Sequence, residues 1–310
     1  MLTKKSNPLV SIYVLVYKSL EGLSKTLDSI VSQEYPRIEL IISEDGSGKV
    51  KEDEIWDYVR EYGNYFEKII VNVNSTNVGT VRHLNSVIKK TSGRVLLGLS
   101  PGDAFYDKEV VKNVVSYFMD NPERLVVTSK RIDELDNLIR PTRKLQNIIE
   151  NNFGKYKKIM LRATPLICGG GTFYQREIFE EYGYFPEEFK LVEDASYYSK
   201  LVDMGVEFGF LDCITYVHAA GGVSDKSTKP HPWWLQDRKY LYETWLMDIA
   251  EKEDWFSKRC VKFHVKRVEK EGTIALIPLC MAYIDVCIYL LCFYKEEILE
   301  IIIKKVMRKK

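Results

Sequence analysis

Three places in this 310-residue sequence put a charged or polar group where an apolar run breaks into glycine or proline. Val95-Leu96-Leu97-Gly98-Leu99 runs into Ser100-Pro101-Gly102-Asp103. That pattern is a buried strand delivering one acid to a sheet edge, where a ligand, or a metal holding a ligand, would sit. Ser43-Glu44-Asp45-Gly46-Ser47 closes a second such run. Asp45 there can accept from a base N–H or a ribose hydroxyl, or serve as a helix cap or Asx turn. Asn77-x-Gly79-x-x-Arg82-x-x-Asn85 makes a tight turn at a helix start, with Arg82 and Asn85 one turn apart. A helix N-terminus beside an arginine suits a diphosphate, and a capped helix with solvated polar residues reads equally well.

The intervening segments must position these groups. Residues 9–16 are apolar and β-branched, a first strand buried on both faces. Leu20, Leu23, Leu27 and Ile30 recur at helical spacing before Pro36, and residues 38–42 form a second strand. A polar helix over about 50–62, a strand over 68–73 and a helix with inner face Val81, Leu84 and Ile88 follow. Strand 95–99 and a helix over about 110–118 complete the series. Strands and helices alternating at this spacing predict βαβ units and a mostly parallel, doubly wound sheet. The alternation fades after about residue 128, and residues 130–165 read as loops and helices over the sheet. Gly169-Gly170-Gly171-Thr172-Phe173 reads as a strand whose backbone something approaches closely. Glu193-Asp194 lead a helix through Leu201, and residues 206–211 make a late strand.

Composition narrows the class. With 45% hydrophobic and 29% charged residues and a formal charge of +1, the chain reads as globular, and nothing global points to nucleic acid. Its six cysteines contain no CxxC pair, which argues against a disulfide or zinc framework and for a reducing compartment. Lys4-Lys5 before residues 9–16 lack a small-residue cleavage site, so the expectation is a cytoplasmic protein.

Taken in order, these pieces resemble family 2 glycosyltransferases of the GT-A fold over about residues 8–220. The resemblance rests on the strand ending in Val16-Tyr17, Leu23-x-x-x-Leu27-x-Ser29-Ile30-x-x-Gln33, and Glu39 through Ser47. It continues in Asn77-x-Gly79, in Leu99 through Asp103, and in Glu193-Asp194. It implies a Rossmann-like α/β domain over residues 1–225 with a helical C-terminal region from 226 to 310. Val16, Tyr17, Asp45, Asn77, Gly79, Arg82, Ser100 and Asp103 would then bind a UDP-sugar. Asp103 matches the last acid of the family's DXD motif, and with His218, after Thr215-Tyr216-Val217, it would hold Mn²⁺ or Mg²⁺. Asp194 matches the catalytic base. The motif's first acid is absent from Ser100-Pro101-Gly102, which predicts weaker metal affinity.

Chemistry agrees with that assignment. A hard cation neutralises a leaving diphosphate, and one carboxylate deprotonating the acceptor hydroxyl contributes about 10²–10⁴-fold. One base opposite the leaving group predicts inversion. The resemblance implies an acceptor that is a glycan or a lipid-linked hydroxyl in surface polysaccharide or glycoconjugate synthesis. A nucleotidyltransferase would want a Gly-rich basic loop after strand one, and Tyr17-Lys18-Ser19-Leu20-Glu21 is not one. A non-catalytic partner subunit acting through its C-terminal helices is the other rival.

Two later segments invite readings of their own. Residues 219–238, with Gly221-Gly222, Lys226, Lys229, His231, Trp233, Trp234 and Arg238, form either a mobile lid or a surface loop packing two Trp. Residues 274–294 are apolar apart from Asp285 and include Pro278. They predict, in order, an interfacial or dimer-forming helix, a packing helix and a membrane span. Lys304, Lys305, Arg308, Lys309 and Lys310 follow, and favour an anionic membrane surface on its inner face.

Overall fold

The computed structural model describes residues 7–164, 167–220, 230–270, 273–296 and 298–299. Elements follow in chain order: β1 Val10–Val16, α1 Leu23–Val31, β2 Ile38–Glu44, α2 Glu52–Val59, β3 Lys68–Val73, α3 Thr80–Lys90 and β4 Val95–Leu99. Next come β5 Ala104–Phe105, α4 Val110–Asp120, β6 Val126–Asp133, β7 Ile139–Arg140, α5 Arg143–Asn151 and α6 Phe153–Arg162. The second half holds β8 Thr172–Gln175, α7 Glu177–Tyr182, α8 Glu193–Asp203 and β9 Gly209–His218. Five helices close the series: α9 Pro232–Glu243, α10 Trp245–Glu253, α11 Trp255–Val268, α12 Thr273–Ala282 and α13 Ile284–Phe293.

The strands form one sheet in the order β3-β2-β1-β4-β8-β6-β9-β5, with β7 on β6. β1 through β4 are mutually parallel, and β6 pairs β9 in parallel. β8 runs against both β4 and β6, so the sheet is mixed and mostly parallel. Residues 126–133, read from sequence as a fading of the alternation, are a central strand. The late strand is also longer than residues 206–211 suggested. The second half of this strand, Lys-Arg-Ile-Asp, is half-buried and carries no period-2 apolar signal; in the fold Lys130 and Arg131 pair with Asp212 and Asp133.

Alternate residues on each strand feed two cores, as period-2 geometry requires. Ile12, Val14, Leu40, Ile42 and Leu97 pack with α1, α2 and α4 on one face. Tyr13, Ile41, Leu96 and Tyr174 pack with α3, α5, α6 and α8 on the other. Leu241, Tyr242, Leu246, Ile249 and Val261 of α9–α11 belong to that second core, so these helices are built into the α/β body.

The parallel register aligns the carboxyl ends of the strands. Val16 lies opposite Glu44, and Val14 opposite Leu99. The turns after β1, β2 and β4 therefore emerge side by side, at the edge where open α/β sheets bind ligands. β9 returns to the same edge through β5, pairing Ala104 with Val217 and Phe105 with Tyr216. Asp103 thus arrives beside His218.

Candidate active site

Asp103 is buried at the end of the turn that follows β4. One of its carboxylate oxygens, Oδ2, accepts from the Tyr216 hydroxyl. The other, Oδ1, accepts from the Ala219 N–H at 2.9 Å and meets His218 Nδ1 at 3.2 Å. The turn itself is clasped from α1: Gly102 N–H donates to Thr26 Oγ1 at 3.0 Å and to Gly22 O at 3.1 Å. A Cβ on Gly22 would stand 2.6 Å from Gly102 N, so the approach requires glycine. The Asp103 hydrogen bond raises His218 above its ordinary value, while burial and the Asp103 charge keep the Tyr216 hydroxyl protonated.

Asp45 reconciles its two sequence readings. Its Oδ1 accepts from Asn74 Nδ2 at 3.0 Å and Val78 N at 3.1 Å, and its Oδ2 from Gly79 N at 3.0 Å. Asn77 closes the same turn, its Oδ1 accepting from Gly79 N at 3.1 Å. Three of about four carboxylate acceptor sites are thereby used on the 74–79 loop, which leaves one for a ligand. Glu44, wholly buried, accepts from Ser47 N and Lys18 N and joins the ends of β1 and β2. Val16 is a core residue that meets this edge through its carbonyl, which accepts from Asp45 N at 3.1 Å. Tyr17 stands about half exposed, with Lys18 Nζ 4.6 Å from its ring centre.

Arg82 is exposed and faces Glu187, with Nε 3.7 Å from the carboxylate. Asn85 is buried and holds the Phe185 backbone from both sides. The two residues share a helix but serve different partners.

Asp194 opens α8. Its oxygens accept from Gly169 N at 3.3 Å and Ala195 N at 2.6 Å, in the first turn of the helix. Glu193 beside it is pushed up to about 8 by burial first and by the Asp194 charge second, so the pair keeps its proton on Glu193. Both line a recess of about 110 Å³ with Tyr13, Ser100, Gly169, Gly170, Tyr198 and Tyr216. Tyr216 therefore links the two acids: its hydroxyl holds Asp103 and its ring walls the recess at Asp194. A Cβ on Gly170 would lie 2.8 Å from that ring, which identifies the close approach expected at the glycine run.

Sequence reasoning passed over Asp237 on α9. Its Oδ2 accepts from Lys190 N at 2.7 Å, Leu191 N at 2.6 Å and Val192 N at 3.2 Å. One buried carboxylate thus fixes the three residues that lead into Glu193-Asp194. A lone Asp in an aromatic, basic helix gives no sign of this role. Of the lid segment, Trp233 and Trp234 lie on α9 under Lys190 and Arg238. Residues 221–229 and the basic residues from Lys304 onward lie outside the described residues.

Among the described residues, no cluster of three or more His, Cys, Asp or Glu could hold a metal unaided. Asp103 and His218 still fit a hard cation that takes its other ligands from a diphosphate and water. Asp103 Oδ2, which accepts from the Tyr216 hydroxyl, keeps lone-pair capacity, and His218 Nε2 has no partner among the described residues.

Comparison with known proteins settles the kinship. The model for "Glycosyl transferase family 2" matches residues 11–183. The chain belongs to this family. Its poly-beta-1,6-N-acetyl-D-glucosamine synthase from Staphylococcus epidermidis is 25% identical over 193 residues, 62% of this chain and 45% of the synthase. An uncharacterized glycosyltransferase of Rickettsia felis is 27% identical over 213 residues, 65% of this chain and 34% of its own. The chain thus spans a third to under half the length of these relatives. A mannosyltransferase from Pyrobaculum calidifontis, solved with GDP-Man and Mn²⁺, superposes with TM-score 0.59 at 15% identity, over 99% of this chain and 90% of its own. S. aureus TarS residues 1–349 with UDP-GlcNAc gives 0.56 at 19%, over 84% and 71%. These likenesses are of fold, and the fold is GT-A. The matched residues include Asp103 and end before Asp194.

A pH effect follows from Glu193. A carboxyl raised from its ordinary value to about 8 favours the fold fully below about pH 4.5, and that contribution is lost as pH rises through 8. Glu193→Gln removes the titration. Its melting temperature should match wild type near pH 5 and exceed it near pH 9, by roughly 2–4 kcal/mol of stability. Melting curves that stay parallel across this range would contradict a protonated Glu193.

Proposed function

We propose that the chain is an inverting glycosyltransferase that takes a sugar from a UDP-sugar to a hydroxyl of a glycan or lipid-linked acceptor. The observation that carries this reading is Tyr216, whose hydroxyl holds Asp103 and whose ring walls the recess that Asp194 lines at the carboxyl edge of the sheet. Exposed Tyr17 offers a face for the base, and the free acceptor site on Asp45 suits a base N–H or ribose hydroxyl. The UDP preference is supported by the UDP-GlcNAc bound to a structural neighbour, although another binds GDP-Man.

Asp194 accepts the acceptor's proton while the acceptor oxygen forms a bond to the anomeric carbon. The bond from that carbon to the diphosphate oxygen breaks on the opposite face, and its electron pair leaves with UDP. Attack and departure on opposite faces invert the configuration. Glu193, neutral below about pH 8, leaves Asp194 as the only charge of the pair. Mg²⁺ or Mn²⁺ would be held by Asp103 and His218, and such a cation neutralises the leaving diphosphate. With no cation bound, the imidazolium form of His218, favoured by Asp103, supplies positive charge in its place. That arrangement fits modest rather than strict metal dependence.

Nucleotide binding tests the reading. UDP with Mn²⁺ should raise the melting temperature with the logarithm of its concentration over Kd, a stabilisation of about 2.7 kcal/mol at a hundredfold excess. No shift with UDP, GDP or CDP, with or without Mn²⁺, would favour the partner-subunit alternative.

A further inference from the structure

Residues 274–294 contain one charged residue, Asp285, and the structure gives that charge away to the body of the protein. Arg259 of α11 holds it bidentately, Nε at 2.6 Å and Nη2 at 2.9 Å. α12 and α13 are ten residues each and meet at 103°. At 1.5 Å per residue each limb is about 15 Å, half the thickness of a bilayer core. Among the described residues, no single helix is long and apolar enough to cross a membrane.

The inner row of this elbow packs on α11: Leu279, Tyr283 and Val286 are buried against Cys260 and Phe263. The outer row is equally apolar and is exposed among the described residues. Ile274 is 83% exposed, Met281 73% and Leu291 61%, with Ile277, Ile284 and Ile288 between them all more than half exposed. A surface helix of a water-facing protein carries polar residues on that side. Contiguous exposed apolar rows of this kind mark an interaction surface.

Charge beside the elbow selects the occupant. α13 turns Tyr289, Cys292 and Phe293 toward α5 and α6, and together they line a recess of about 330 Å³. Four cations ring it, Lys144, Lys155, Lys158 and Arg162, and no carboxylate is in its lining. Arg162 is neutralised from behind by Asp254, with Lys158 at the edge of that pair. Lys144 and Lys155 have no carboxylate within salt-bridge distance among the described residues, and Lys144 Nζ faces the Phe293 ring at 5.5 Å. An apolar floor with a cationic rim, continuous with an uncovered apolar helix, complements a lipid phosphate and its acyl chains. A second copy of this chain would bring the same unpaired cations against their like.

We propose that the α12–α13 elbow is an in-plane anchor that seats the protein on an anionic phospholipid surface, with a headgroup phosphate in the Lys144–Lys155 recess. The outer isoleucines enter the acyl boundary while the lysines meet phosphate, the two contributions that in-plane binding sums. This surface is separate from the Asp103–Asp194 recess and does not depend on the reaction assigned there.

Sedimentation of the full chain with vesicles tests it, without any sugar donor. Wild type should pellet with vesicles of mixed phosphatidylglycerol and phosphatidylcholine, and bind pure phosphatidylcholine at least about tenfold more weakly. Ile277→Glu with Ile288→Glu alters only exposed positions, so the melting temperature should hold while partitioning falls roughly tenfold or more. Lys144→Glu with Lys155→Glu should lose the preference for anionic vesicles. Wild type left in the supernatant, or either double variant binding as wild type does, would overturn the proposal. A wild-type dimer in light scattering that Ile277→Glu with Ile288→Glu converts to monomer, with no vesicle binding, would overturn it in favour of a second copy.

Discussion

Asp194→Asn should leave nucleotide binding within about threefold of wild type while lowering kcat by roughly 10²–10⁴-fold, the range for losing a general base. The amide keeps one oxygen to accept from Ala195 N, and the position is at the rim of the recess, so the fold should survive. What the variant lacks is a group able to take the acceptor's proton. It also lacks the charge that helps raise Glu193, so the Glu193 carboxyl should titrate lower than in wild type. A variant retaining more than about a tenth of wild-type turnover would place the base elsewhere. A variant that loses UDP binding in parallel with kcat would mark Asp194 as structural.

Asp103→Asn should act on the donor side. Its two oxygens accept from Tyr216, Ala219 and His218, and a buried amide cannot accept from all three while presenting its own N–H₂. About 1–3 kcal/mol of stability should be lost. Affinity for UDP with Mn²⁺ should fall roughly tenfold to a hundredfold, since the motif offers no second acid to take over. The same substitution removes the hydrogen bond that raises His218, so the His218 pKa, followed by NMR, should drop toward or below the ordinary histidine value. Unchanged nucleotide affinity in Mn²⁺ would remove Asp103 from the donor site.

The half of the molecule that follows the βαβ rule was legible because each segment announces its own periodicity. Lys68–Val73 and Val95–Leu99 fall where their apolar runs predict. The placement of the acids at the strand ends was legible for the same reason, since Asp45 and Asp103 each follow a buried run. β6 was not legible, because its outer half carries Lys130, Arg131 and Asp133, whose burial is made tolerable by ion pairs that only the fold assembles. Tyr216 and Asp237 were hidden for a related reason. Tyr216 meets Asp103 across a separation of 113 residues, and Asp237 meets Lys190 across 47. No local pattern encodes contacts of that range. Arg82, whose spacing suggested a diphosphate partner, is exposed, with Glu187 3.7 Å away.

One measurement reaches the centre of the account. A proton NMR time course of the full chain with a UDP-sugar, Mn²⁺ and a hydroxyl acceptor records nucleotide release and the anomeric signal of the product together. The arrangement of Asp103, Tyr216 and Asp194 predicts UDP release that depends on the acceptor, one UDP per bond formed, and a β-linked product from an α-linked donor. Release that ignores the acceptor, or a product that keeps the donor's configuration, would contradict direct displacement by the acceptor oxygen with Asp194 as its base.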